Sequence, residues 1–297
     1  MRLIRIAHAR TDIMHMRIVA PAAIALGLLA GAAPVNRTAA QTDFYNLDKG
    51  RPLRVEDAYA TKRYAFEAKL APLDLFQTRD GTVHYRPELE LKHGLLPGLE
   101  VSAGVVVGAV RTPMDGTRAA DTELELSSLL NLSTETRWLP ALGLRVTGHI
   151  PLEGDHGSTL ELRALATRSL FGPVRAHVNG GWGFGDDAPE RWWAGLALDY
   201  VLPFRHLLLL AETYIAEPRA ADELTPAPPP GEGTANGATS RRVHSTAGLR
   251  YQVSPTLALD AGAGRSWTGG ELAPDWLLTL GLTYEFAVRA LMPGTRR

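Results

Sequence analysis

The sequence predicts an all-β fold, a closed antiparallel transmembrane β-barrel of about twelve strands. Three observations carry that prediction. Apolar and polar residues alternate with period two in stretch after stretch between Tyr64 and Phe286. The gaps between these stretches alternate between short proline-marked turns and polar, often longer loops. A basic and then apolar leader stands ahead of them all.

Alternation is informative because successive side chains of a strand point to opposite faces, so a period of two makes one greasy face and one charged face. Val83, Tyr85, Leu89 and Leu91 interleave in this way with His84, Arg86, Glu88, Glu90 and Lys92. As a helix, the same residues would scatter charge all round. In order, the predicted strands cover 64–76, 82–93, 99–110, 122–138, 142–152 and 159–170, then 174–185, 192–202, 206–216, 242–253, 257–267 and 276–286. An even count returns both ends of the chain to one side of the barrel, as in single-chain bacterial barrels.

Short connections at Pro97, Pro140, Pro173, Pro203 and Pro255 alternate with loops at 77–81, 111–121, 153–158, 185–191, 217–241 and 268–275. Membrane barrels keep short turns on the periplasmic side and longer loops outside, so a periplasmic N-terminus puts every gap on its expected side. The 217–241 loop, with Pro226, Pro228, Pro229 and Pro230 ahead of Gly231, Gly233 and Gly237, cannot bury enough apolar surface to order itself. Tyr64, Trp138, Tyr200, Tyr251, Tyr284 and Phe286 fall at the periplasmic strand ends, whereas Tyr85, Trp182, Phe184, Trp192, Trp267 and Trp276 fall at the opposite ends. Two such girdles suit the two headgroup boundaries of a bilayer. Two residues fit less simply. Pro87 sits inside the second strand, where its missing N–H predicts a bulge or break. Arg168 is on the outward phase near a strand end, where its long side chain can snorkel to the headgroups.

Outside the strands, residues 1–40 read as a signal peptide: basic residues from Arg2 to Arg17, an apolar run over 18–33, and Thr38-Ala39-Ala40 before Gln41. Met16 stands directly before the apolar run and offers an alternative start. Residues 41–63 form a polar, periplasmic N-terminal segment, 64–286 the outer-membrane barrel, and 287–297 a C-terminal tail. The 41–63 segment carries no long amphipathic stripe, so it is expected outside the barrel as a tether rather than inside as a plug. The formal net charge of −1 gives no basic field for nucleic acid, and the absence of cysteine removes disulfides and thiolate metal sites.

The segment Asn46-Leu47-Asp48-Lys49-Gly50-Arg51-Pro52-Leu53-Arg54-Val55-Glu56-Asp57-Ala58, ahead of the strand beginning at Tyr64, resembles the outer-membrane transporter family labelled phenol meta-pathway degradation. That family carries an Arg-Pro-Leu plus Glu-Asp-Ala motif before its first barrel strand. His149-Ile150-Pro151-Leu152-Glu153-Gly154 resembles the family's Leu-Pro-Thr-Gly strand end, with Glu153 departing from it. The resemblance implies a transmembrane barrel in the cell outer membrane of a Gram-negative envelope and transport of small, aromatic compounds. The last strand, ending at Phe286, is similar to the signal read by the barrel-assembly machinery, although eleven residues follow that Phe.

If the greasy face meets outer-membrane lipids, the polar face lines the lumen. By phase, His84, Arg86, Glu88, Glu90, Glu123, Glu125, Arg145, His149, Glu161, Arg163, Arg175, His177, Asp199, Glu212, Arg242, His244, Arg250 and Asp260 point inward. Val106, Leu129, Leu165, Leu208 and Leu210 share that phase, which gives a partly apolar lumen suited to a hydrophobic or aromatic solute. Unpaired, the charges make a narrow pore; paired, they make an ionic plug. The expected function is passive uptake of a small-molecule solute, with a structural or adhesive barrel as the alternative. A membrane lipid hydrolase is a third class. Its nearest residue pairs are His156 with Ser158 and His244 with Ser245, and the second cannot cooperate because neighbours on a strand face opposite ways. The expected chain has no catalytic residues and no cofactor. No metal site is expected from His84, His149, His177 and His244, since none shows a close ligand spacing.

Overall fold

Among the described residues, thirteen strand segments pair antiparallel in sequence order, and the last closes on the first. The computed structural model describes residue 47 and residues 51–113, 116–153, 157–185, 187–188, 190–202, 206–218, 241–269, 273–288 and 291–292. The leader and most of the proline-rich loop lie outside the described residues.

The segments are β1 (Ala65–Thr78), β2 (Val83–Tyr85), β3 (Glu88–Leu96), β4 (Leu99–Thr112), β5 (Gly116–Ser133), β6 (Ala141–Pro151) and β7 (Thr159–Phe171). They continue as β8 (Val174–Phe184), β9 (Glu190–Leu202), β10 (Leu207–Pro218), β11 (Arg242–Ser254), β12 (Leu257–Ser266) and β13 (Pro274–Ala287). Both β2 and β3 lie between β1 and β4, so they are two halves of one stave and the barrel has twelve. Pro87 causes the break. It has no N–H to give, and the ladder there is carried by single bonds: Arg86 N–H donates to the Asp74 carbonyl at 2.9 Å and Val107 N–H to that of Pro87 at 3.0 Å. The neighbouring staves shift register at the same height, between Leu70 and Leu73 on β1 and between Val107 and Ala109 on β4.

Exposure follows the predicted phase. Leu89, Leu91, Leu126, Leu130, Val178, Leu196, Leu198, Leu209, Leu249, Leu259, Leu278 and Leu280 point outward into an apolar belt. Trp182, Phe184, Trp267 and Trp276 are exposed at one end of it, and Trp138, Phe171, Tyr200 and Tyr251 at the other. A soluble protein would not leave such a belt bare.

Strand ends differ from expectation in places. Residues 111–121 are largely paired rather than looped, because β4 runs on to Thr112 and β5 begins at Gly116. β5 instead stops at Ser133, and 134–140 form a turn. Arg168 does not reach for headgroups. Its guanidinium donates to the carbonyls of Thr136, Arg137 and Leu139 at 2.6, 2.6 and 2.9 Å and lies 3.6 Å from Glu135, so it organises that turn.

The interior is not an empty bore. Residues 51–63 run through it as an irregular segment with bends at 52, 54 and 58, and Leu53, Val55, Ala58, Arg51, Glu56 and Asp57 are all buried. The tether expectation therefore fails for these residues, and the plug holds. Six inward-facing glycines leave the track on which the segment lies. A Cβ on Gly94 would stand 2.0 Å from the Lys62 carbonyl oxygen, one on Gly195 2.6 Å from Val55, and one on Gly248 or Gly262 2.5 or 2.4 Å from Pro52. Gly143 and Gly281 meet Ala58 and Arg51 in the same manner.

Candidate functional site

Among the described residues, the segment touches a strand only at the Arg63–Gly94 bridge, and Asp57 N–H turns back to the Leu47 carbonyl at 3.1 Å, so most of its other backbone polar groups need partners from the wall. Inward side chains supply them one by one. Glu212 accepts from the backbone N–H groups of Arg54 and Val55 at 2.8 and 2.9 Å. Asn179 accepts from the Glu56 N–H and donates to the Glu56 carbonyl, both at 2.8 Å. Thr167 accepts from Ala58 N–H at 3.0 Å, Asn131 donates to the Ala58 carbonyl at 2.6 Å, and Glu100 accepts from both the N–H and the hydroxyl of Thr61.

The segment's own charges complete the arrangement. The Glu56 carboxylate, 1% exposed, lies between two buried guanidinium groups, receiving Arg145 Nε at 3.0 Å and Arg163 Nη1 at 2.8 Å. Burying three charges is tolerable only because each is paired and hydrogen-bonded. Arg145 also reaches Glu100 at 3.0 Å, and Arg163 reaches Glu161 at 2.6 Å. Arg54 forms a two-pronged contact with Glu190 at 3.1 and 2.6 Å, its guanidinium 4.1 Å over the Trp193 ring.

Around this axis lie the other residues expected on the inward phase. Arg175 and His177 both meet Asp199, at 2.5 and 2.9 Å, and His177 also meets Thr167 at 3.0 Å. Arg250 holds Asp260 at 2.7 Å, and His244 lies 3.1 Å from the Ser266 hydroxyl and stacks on Tyr214. Glu88 is 3.4 Å from Arg51, Glu90 3.9 Å from Lys69, and Arg242 3.9 Å from Glu190. His84 is half-buried and stacks on Phe76. Glu123, Glu125 and His149 come together away from the segment. Arg86 stands apart, exposed at the Pro87 break.

The inward leucines pack against the segment. Leu208 and Leu210, with Ala197, Trp193 and Ala216, cluster with Leu47, Leu53 and Val55. Leu129 and Leu165, with Ala141, cluster with Ala58. Sequence reasoning missed Lys69, Glu100, Asn179, Glu190 and Trp193, which share the inward face. The signal for Trp193 was the neighbouring glycine run: its indole lies on Gly181, where a Cβ would be 2.0 Å from Nε1. Of the hydrolase pairs, His156 lies outside the described residues. His244 is buried on the lumen side, whereas the Ser245 hydroxyl takes a hydrogen bond from Trp267 at 2.9 Å on the outer face.

Closure, lipid-facing belt, girdles and polar lumen define a transmembrane β-barrel of the outer-membrane type. Among solved structures it is similar to an outer membrane channel from Pseudomonas putida F1, with 15% identity and a TM-score of 0.57 over 82% of this chain and 100% of that one. It is also similar to the KdgM porin (7% identity, TM-score 0.49, 74% of this chain and 98% of that one) and the NanC porin (8%, 0.47, 75% and 100%). No protein-family model matches the chain. No curated protein sequence matches it.

Proposed function

We propose that the chain is an outer-membrane channel for passive uptake of small compounds, with aromatic and hydrophobic solutes as its class, and that the 51–63 segment is its internal gate. The observation that carries this reading is the nature of the lumen filling. The interior is occupied by a short irregular segment held by wall side chains, not by a continuous core of the barrel's own residues. Such a filling can move without opening a strand ladder. Beneath it lie two apolar strips, around Leu208 and Leu210 and around Leu129 and Leu165, now covered by Leu53, Val55 and Ala58. An apolar solute competes for the same strips once the segment shifts.

The residues that carry the resemblance to the phenol meta-pathway family, Arg51-Pro52-Leu53 and Glu56-Asp57-Ala58, are the ones seated in the lumen, which supports a shared use of this segment. The outward alternation of β13, ending at Phe286, suits delivery by the barrel-assembly machinery. Uptake is tested with proteoliposomes: benzene-ring solutes of low polarity are expected to enter faster than sugars of similar size. Equal, negligible entry of both would favour the second reading, a structural barrel sealed by its buried ion pairs, for which the Glu56–Arg145–Arg163 cluster is the supporting observation.

A further inference from the structure

Deep in the lumen, Glu56 meets Arg145 and Arg163, Glu100 meets Lys92 and Arg145, Asp260 meets Arg250, Asp199 meets both Arg175 and His177, and Glu212 takes two backbone N–H groups. Glu123 meets an imidazole. His149 Nδ1 is in direct contact with the Glu123 carboxylate and 3.5 Å from Oε1 of Glu125. One ligand atom from each of these three residues lies within 4.8 Å of the other two, a grouping found once among the described residues.

Their scaffold is rigid. Glu123 and Glu125 are two apart on β5, so they share its inner face, and Glu125 is directly opposite His149 on β6. Each of the three is about one-fifth to one-quarter exposed, whereas Arg145 and Thr147, further along the inner face of β6, are buried. The group therefore sits where the lumen begins to open, near the end of β6 and the start of β7, within reach of dissolved ions.

We propose that Glu123, Glu125 and His149 bind a divalent transition-metal ion of the zinc class. Two carboxylate oxygens and one imidazole nitrogen form a borderline donor set that suits such an ion and leaves a fourth position for water or a solute atom. Around an ion with bonds of about 2.0–2.2 Å, tetrahedral donors stand about 3.4 Å apart, a spacing these side chains reach by small rotations of the two glutamates. The ion takes the place of the imidazole proton against Glu123 and brings positive charge to two adjacent carboxylates. The site is independent of whether the barrel conducts.

Equilibrium dialysis of the untagged chain in detergent against zinc chloride tests the proposal. One zinc per chain is expected, and His149→Ala, and separately Glu123→Gln, should each weaken binding by at least about ten-fold. His84→Ala should leave it unchanged, and heat-modifiable migration in gels confirms that each variant is folded. Calcium chloride should not compete, because calcium gains nothing from the imidazole. Absence of stoichiometric zinc, or binding that survives His149→Ala or is matched by calcium, would overturn the proposal and mark these residues as an ordinary acidic patch.

Discussion

Glu56 is the residue on which the lumen arrangement turns. Its carboxylate is shared by two buried guanidinium groups from adjacent staves, and its backbone is clasped on both sides by Asn179. Removing one partner of a buried ion pair costs about 3–5 kcal/mol, most of it from the charge left behind. Here Glu100 and Glu161 still hold Arg145 and Arg163, so Glu56→Ala should fall at about the lower end, 3 kcal/mol. That loss acts on docking of the segment, since the β6–β7 ladder is untouched. Limited proteolysis should therefore cut residues 51–63 readily in the variant and slowly in the wild type, with barrel migration unchanged. At this scale the inward phase of Arg145, Arg163, Asp199 and Arg250 was legible because alternation fixes which face a side chain takes. Glu56, which pairs with Arg145 and Arg163, and Glu100, which pairs with Arg145, were not, since Glu56 lies in a segment without periodicity and Glu100 sits at the start of its strand.

Strand rhythm was the most legible feature, because each stave must be apolar toward lipid and polar toward the lumen over its whole length. Boundaries were less so. Residues 134–138 continue the alternation of β5 in sequence, yet the chain turns there because Arg168 satisfies three carbonyls of the turn. The break at Pro87 followed from one missing donor. The course of residues 51–63 was hidden because an irregular plug has no repeat of its own. Its imprint lies in other elements, as glycines on the inward phase of β3, β6, β9, β11, β12 and β13. Those glycines give a prediction about elements. Gly262→Val puts a side chain where Pro52 Cβ stands 2.4 Å from the Cβ position, and the backbone of β12 cannot give way between two paired neighbours. Segment docking should be lost with the barrel intact, so a spin label on Leu53 should go from immobile to mobile. The control, Gly148→Val, has only the Leu126 carbonyl nearby at 3.9 Å and should leave the label immobile.

Twelve staves enclose more space than their own inward side chains fill, and the molecule meets this excess with a piece of its own chain. The outer surface adapts to lipid through its apolar belt and two aromatic girdles, while the inner surface adapts to the segment through ion pairs, single hydrogen bonds and two apolar strips. Closure by the β13–β1 ladder, from Ala65 paired with Ala287 to Thr78 paired with Pro274, keeps the wall intact when the filling moves. On the proposed gating, conduction is set by the segment and not by the wall. The central test is single-channel conductance in a planar lipid bilayer, comparing the wild-type chain with Glu56→Ala. The account predicts small or rare steps for the wild type and larger, longer-lived openings for the variant. Indistinguishable traces from two correctly folded barrels would contradict it.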